Sequence, residues 1–132
     1  MKRSTLILLS FVIVSSACGK KAPPSYPGEF VPPPVSSAQS EHLGEKVVLS
    51  WTAPAMPAGQ ESSLAGFVIK RRDSIVGEFR KLDEVEYAPG KSSYQYVDTN
   101  PPAKQVGEYV IVAVNPGGLE SSYDKLLRVD FK

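Results

Sequence analysis

The stretch GEYVIVAVNPGG, residues 107–118, decides the fold class of this chain. Its apolar residues alternate between two faces, with Tyr109, Ile111 and Ala113 on one side and three valines on the other. Valine, isoleucine and tyrosine favour strands, and the Pro-Gly-Gly that follows favours a turn. The stretch therefore predicts a β-strand that ends at Asn115.

Five further segments of residues 35–132 repeat this period of two between turn residues, which is typical of short strands rather than helices. About 100 residues is a common size for one compact domain. We therefore expect a single all-β sandwich, in which the last segment is an edge strand. The other predicted strands span residues 47–51, 66–72, 78–85, 93–97 and 126–131.

Three of these segments resemble a fibronectin type III domain in residues, order and spacing. They read VLSWTAP at 48–54, LAGFVIKR at 64–71, and YVIVAVNPGG at 109–118. The resemblance covers nearly the whole domain and implies a seven-stranded immunoglobulin-like sandwich. It also implies a structural core that contains Trp51, Phe67, Tyr109 and Ala113.

One position departs from the fibronectin type III pattern. Counted back from Ala113, the tyrosine that makes the corner hydrogen bond in that family should stand at Gly107, whereas the tyrosine here is Tyr109. Either the strand is two residues shorter or the corner is absent. The inward alternation that predicts the sandwich survives both interpretations.

The N-terminus has the three parts of an export signal: Lys2 and Arg3, an apolar run at 6–14, and small residues before Cys18. Ala17-Cys18 resembles the cleavage site of bacterial lipoproteins, although Ser15 stands where that family usually has leucine. The resemblance implies a signal peptide at 1–17 and a lipid anchor on Cys18, placed in the outer membrane by the following glycine. The alternative is ordinary cleavage near Ala17, which leaves a free thiol.

Residues 18–34 join Cys18 to the domain and are rich in proline, which excludes a helix or a central strand. Such a chain favours polyproline II, at about 3.1 Å per residue. We therefore expect a tether with a reach of roughly 50 Å. Its two lysines, Lys20 and Lys21, lie beside the anchor and have either anionic headgroups or water as their neighbours.

Composition and residue types favour a binding role over catalysis. The net charge of +1 comes from interspersed charges, so no basic field predicts nucleic-acid binding. The single histidine, His42, and the single cysteine cannot build a zinc site, and no serine has an evident base. We therefore expect no metal, no cofactor and no enzymatic activity.

Alternation also predicts a candidate binding face. If Tyr109 points inward, Val110, Val112 and Val114 point outward, as does Val68 on the neighbouring strand. Exposed apolar patches often mark contact sites, so this stripe is expected to meet a partner protein or a second copy of the domain. The alternative is ordinary strand propensity, with the aliphatic stem of Lys70 and that of Arg72 lying over the valines.

Two other functions remain open from the sequence. A carbohydrate-contacting module needs aromatic rings that face solvent. A purely structural subunit of an envelope complex needs no ligand of its own. The candidate sugar-stacking residues are Tyr87, Tyr94, Tyr96 and Tyr123.

Overall fold

A computed structural model describes residues 29–74, 76–102 and 106–130 of the chain. This part consists of strands joined by turns, with one short 3-10 helix at Glu61–Ser63. The strands are β1 (Ser36–Leu43), β2 (Lys46–Thr52), β3 (Gly66–Arg72), β4 (Arg80–Glu86), β5 (Ser93–Asp98), β6 (Val106–Val114) and β7 (Leu127–Asp130).

The seven strands form two antiparallel sheets, as expected. The three-stranded sheet has the order β1-β2-β5, and the four-stranded sheet has the order β4-β3-β6-β7. β6 pairs with β3 along its length, from Arg72 opposite Glu108 to Gly66 opposite Val114. β7 lies at the edge of the four-stranded sheet, where the sequence predicted an edge strand.

The core lies between the sheets and is centred on aromatic rings. Trp51, Phe67, Tyr109 and Ala113, the residues implied by the resemblance, are all buried in it. The rings of Trp51 and Phe67 meet edge to face with centroids 5.5 Å apart, and Tyr94 stacks on Trp51 at 6.1 Å. Such pairs add about 0.5–1.5 kcal/mol each to the burial of their area.

β1 is the strand that the sequence pattern did not predict. Its sequence, SSAQSEHL, has no apolar alternation, and only Ala38 in it is buried. Its pairing with β2 makes it a strand, with an irregularity between Ser36 and Gln39 where Ser37 adopts a positive φ of 54°. Tertiary pairing therefore decides this segment, not local propensity.

The loops that follow β2, β4 and β6 gather at one end of the sandwich. There Ala65 N–H donates to the carbonyl of Val114, and Tyr87 N–H donates to the carbonyl of Ala65. Gly66 is required at this end because a Cβ would lie 2.6 Å from the carbonyl oxygen of Val85. β1 starts here, so we call this end, with loops 53–65, 87–92 and 115–119, the N-terminal pole. The other end is the opposite pole.

Candidate functional site on the outer sheet faces

The four valines of the predicted binding face lie together on the outer face of the four-stranded sheet. Val68 is directly opposite Val112 in the ladder. Their predicted exposure is wrong, however. Val68, Val110 and Val112 are only 7%, 2% and 3% exposed, and Val114 is half-buried.

Long charged side chains account for this burial. Lys70 is opposite Val110 in the ladder, whereas Glu120 forms a bridge opposite Val114. Lys70 Nζ lies 2.6 Å from Glu120 Oε1, so the ion pair spans the level of Val112. This register and ion pair fit the alternative in which the aliphatic stem of Lys70 lies over the valines.

Arg72, Glu108 and Arg128 form a second charged row beside the valines. Arg72 Nε donates to Glu108 Oε1 at 2.6 Å, and Arg128 donates to Oε2 through Nε at 3.0 Å and Nη2 at 2.8 Å. Glu108 is 1% exposed. Burial acts to raise the pKa of this carboxyl, but the two arginines outweigh it and lower the pKa. The guanidinium of Arg72 also lies 4.6 Å from the ring centroid of Phe79.

An open groove of about 690 Å³ lies on the same face near the N-terminal pole. Val68 and Val114 contribute apolar surface to its lining, but Glu84, Glu86 and Glu120 line it too. Ligand pockets are usually lined mainly by apolar side chains with a few polar groups. The charged lining and the open shape make this groove a poor candidate for a small-molecule site.

The outer face of the three-stranded sheet has the opposite character. Val48 is directly opposite Val97, and Leu43 pairs with Lys46 one outward-facing position further along. Leu43 is 49% exposed and Val97 is 39% exposed, whereas Val48 is half-buried. Two charged residues also stand on this face, Glu41 opposite Val48 and Lys46 opposite Leu43, and both are exposed. The other outward neighbours are uncharged, with serines at 50 and 93, Thr52 and glutamines at 39 and 95. This row of Leu43, Val48 and Val97, the exposed apolar row, is the better candidate contact surface.

Two features hide this row in the sequence. Leu43 lies in β1, which was not predicted as a strand. Val97 lies in a predicted strand whose Tyr94 and Tyr96 were the candidate contact residues. Alternation from the buried Tyr94 does place Val97 outward, and this was the signal available from the sequence.

The tyrosines considered as sugar contacts mostly face protein. Tyr94 is buried, and its hydroxyl donates to the carbonyl of Ala88 and accepts from the N–H of the same residue. Tyr87 packs edge to face on Phe67 at 6.4 Å. Tyr96 is half-buried, and burial together with the charge and hydrogen bond of Asp83 raises its pKa. Tyr123, 48% exposed, is the member of this set with a ring open to solvent.

Tyr109 lies within β6, which begins at Val106, so the strand is not shortened. The Tyr109 hydroxyl donates to Asp98 Oδ2 at 2.6 Å, and Arg71 Nη1 donates to the same oxygen at 2.9 Å. Burial, followed by the hydrogen bond and charge of Asp98, raises the pKa of Tyr109 well above its usual range. The bond therefore joins the two sheets through a carboxylate of β5.

The chain enters the domain through a fixed contact at the N-terminal pole. Asn115 Nδ2 donates to the carbonyl of Phe30 at 2.9 Å, and Asn115 Oδ1 accepts from the N–H of Leu119 at 2.7 Å. Pro32 is buried. The last residues of the predicted tether thus lie against the sandwich, and the part of the tether available as a spacer ends near residue 29.

The remaining features to be located are metal ligands, His42, membrane spans and the lipid anchor. Residues 29–74, 76–102 and 106–130 contain no group of three or more histidine, cysteine, aspartate or glutamate side chains able to hold a metal ion. His42 is an exposed residue of β1. Among the same residues, no helix has the length and apolar character needed to cross a membrane. Cys18 and the signal peptide lie outside the described residues.

No protein-family model and no curated protein matches the sequence. Solved structures do match its fold. The twitchin kinase region from C. elegans (Fn31-NL-kin-CRD-Ig26) gives a TM-score of 0.62 at 24% identity, over 77% of this chain and 17% of that one. Titin domains A168–A170 give a TM-score of 0.60 at 18% identity, over 77% of this chain and 32% of that one. An Fn3-like protein from Clostridium thermocellum gives a TM-score of 0.54 at 18% identity, over 78% of this chain and 96% of that one.

The chain therefore spans a third or less of the titin and twitchin structures, but nearly all of the clostridial one. These likenesses, together with the two-sheet topology, decide the fold. The chain folds as a fibronectin type III-like domain. At these identities the likeness concerns the fold alone, so the role of this fibronectin type III-like domain is argued below from its own surfaces.

Proposed function

We propose that this protein is a non-enzymatic envelope lipoprotein whose fibronectin type III-like domain binds or holds a partner protein. Cys18 carries the lipid anchor, in the outer membrane, and residues 19–29 form the spacer. The observation that carries the binding role is the exposed apolar row of Leu43, Val48 and Val97. The valine stripe on the other sheet is buried, whereas Leu43 and Val97 in this row are exposed, and exposed apolar patches often mark contact sites.

The position of the row supports this proposal. Leu43 adjoins the turn at 44–45, at the opposite pole from the chain entry at Phe30. A domain held at its N-terminal pole presents this end away from the anchor. Anchoring confines the domain to two dimensions, which raises its effective concentration toward other membrane-held proteins. A small contact surface can then be weaker than one that must work in free solution.

The proposal is tested by mild cross-linking of envelopes, affinity purification from detergent, and mass spectrometry. We expect a lipid-modified N-terminal peptide at Cys18 and one recurrent partner protein. The double variant Leu43→Ser/Val97→Ser should lose that partner while keeping the anchor. Its matched control is Val76→Ser, because Val76 is 88% exposed but lies in the separate turn between β3 and β4.

Each outcome has a definite meaning. An unmodified Cys18 contradicts anchoring and favours the free-thiol, secreted alternative. A partner that both variants retain contradicts the apolar row as the contact surface. An anchored protein without any partner favours a purely structural role. Retention on a polysaccharide matrix with no protein partner favours the carbohydrate alternative.

A further inference from the structure

A second surface lies at the N-terminal pole, where the chain enters the domain. Asn115 holds the carbonyl of Phe30 and the N–H of Leu119 at once, so the residue after Phe30 and the tip of the β6–β7 turn are brought together. The neighbouring side chains are apolar and open to solvent: Val31 is 50% exposed and Leu119 is 45% exposed. Gly118, with a φ of +90°, allows the turn that presents Leu119.

The loops around this pole carry little charge. Loops 53–65, 87–92 and 115–119 are rich in proline, glycine and alanine, and their only charged residues are Glu61 and Lys91. Acidic residues flank these loops at Glu29, Glu86 and Glu120, and further charges lie on the outer face of the four-stranded sheet. A surface with few charged groups loses little hydration when it approaches an apolar phase.

The length of the spacer limits how far this pole can lie from the membrane. Because Phe30 is fixed on the domain, residues 19–29 alone separate it from Cys18. These eleven residues extend over at most about 34 Å as polyproline II, at about 3.1 Å per residue. A lipid on Cys18 therefore keeps the N-terminal pole within that distance of the bilayer.

We propose that the N-terminal pole is a lipid-contacting surface, in which Val31 and Leu119 enter the interfacial region of the membrane that holds Cys18. The inference rests on the proposed anchoring. It adds an orientation, in which the strand axes run roughly perpendicular to the membrane and the exposed apolar row lies near the pole that is farther from it. Two aliphatic side chains bind lipid weakly by themselves, so the contact depends on the anchor, which makes it intramolecular.

The test uses a photoreactive residue at each end of the full-length protein. p-Benzoylphenylalanine replaces Leu119 in one variant and Val76, at the opposite pole, in the matched control. The lipidated proteins are reconstituted in phosphatidylcholine vesicles and irradiated, and adducts on the two peptides are measured by mass spectrometry. We expect at least five times more lipid adduct at position 119 than at position 76. Equal or lower yields at 119, or a protein adduct in place of a lipid adduct, overturn the inference.

The same spectra separate this inference from the proposed function, because they report the mass of the Cys18 peptide. If Cys18 is unmodified in cells, the proposed anchoring is wrong. The pole is then tested on the mature chain with Cys18 coupled to a maleimide lipid. A high lipid yield at 119 in that protein supports the lipid-contacting surface even so, and a low yield overturns it.

Discussion

Apolar side chains of similar kind are treated differently on the two outer faces of this sandwich. On the four-stranded sheet, Val110 and Val112 are 2% and 3% exposed. On the three-stranded sheet, Leu43 and Val97 are 49% and 39% exposed. Both sets stand on outward positions of paired strands, so alternation alone does not distinguish them.

The ion pairs that hold the long neighbouring side chains in position make the difference. The four-stranded face places Lys70, Arg72 and Arg128 beside its valines, and carboxylates hold their charged ends in position. On the three-stranded face, Glu41 and Lys46 stand opposite Val48 and Leu43 but are themselves exposed, and Leu43 and Val97 remain open to solvent. The other outward neighbours on this face are serine, threonine and glutamine. An outward valine is therefore exposed or covered according to what its cross-strand neighbours reach.

The largest expected effect comes from placing a charge on each face. Val112→Asp buries a carboxylate beneath the pair of Lys70 and Glu120, and we expect it to lower the free energy of unfolding by about 3–5 kcal/mol. Val97→Asp places the same group at a solvated edge and should cost less than about 1 kcal/mol. Urea unfolding of both variants measures the difference. Similar costs for the two would show that the faces are equally covered.

A milder pair of changes separates stability from association. Val110→Thr/Val112→Thr buries two hydroxyls and should cost about 2–4 kcal/mol. Leu43→Thr/Val97→Thr should cost less than about 1 kcal/mol, yet abolish recovery of the cross-linked partner. Thermal unfolding and cross-linking yield are measured on the same samples. If Val110→Thr/Val112→Thr kept the wild-type stability but lost the cross-linked partner, the contact surface would lie on the four-stranded sheet instead.

The sequence predicts the sandwich well and its surface poorly. β6 is predictable because apolar residues fill both its faces, and Trp51 and Phe67 fall in the core by alternation. β1 is not predictable in this way, because its serines become a strand only through pairing with β2. The side chain placed across Val112 is that of Lys70, whose ammonium group pairs with a glutamate fifty positions away. Such a contact follows from the pairing of β3 with β6 and from the isolated bridge between Val114 and Glu120, and it leaves no local signal.

The buried carboxylate of the charged row gives a pH-dependent prediction. Glu108→Gln keeps the shape but leaves Arg72 and Arg128 without a counter-charge, and we expect a loss of about 2 kcal/mol at neutral pH. The folded state lowers the pKa of Glu108. Its contribution is therefore complete above the unfolded value of about 4.3 and is lost as the pH falls through the lower folded pKa.

Urea unfolding between about pH 5 and pH 2 therefore tests the sign. The wild-type chain should lose more stability over this interval than Glu108→Gln does. Glu84→Gln is the matched control, because Glu84 pairs with Lys81 at the exposed edge strand, where an ion pair contributes about 0.5 kcal/mol or less. Parallel pH profiles for the wild type and Glu108→Gln would contradict the role assigned to the buried carboxylate.

The smallest expected effect distinguishes the two ways in which Lys70 protects Val112. Lys70→Met keeps an aliphatic stem but loses the ion pair with Glu120, which is partly exposed, so we expect a cost of about 0.5 kcal/mol or less. Lys70→Ala removes the stem as well and uncovers the valines, which should cost about 1 kcal/mol. Unfolding of both variants in low and high salt measures each part. If Lys70→Met lowered the free energy of unfolding as much as Lys70→Ala, and high salt lowered that of the wild type by the same amount, the charge would be what protects Val112. The aliphatic stem would then not explain the difference between the two faces.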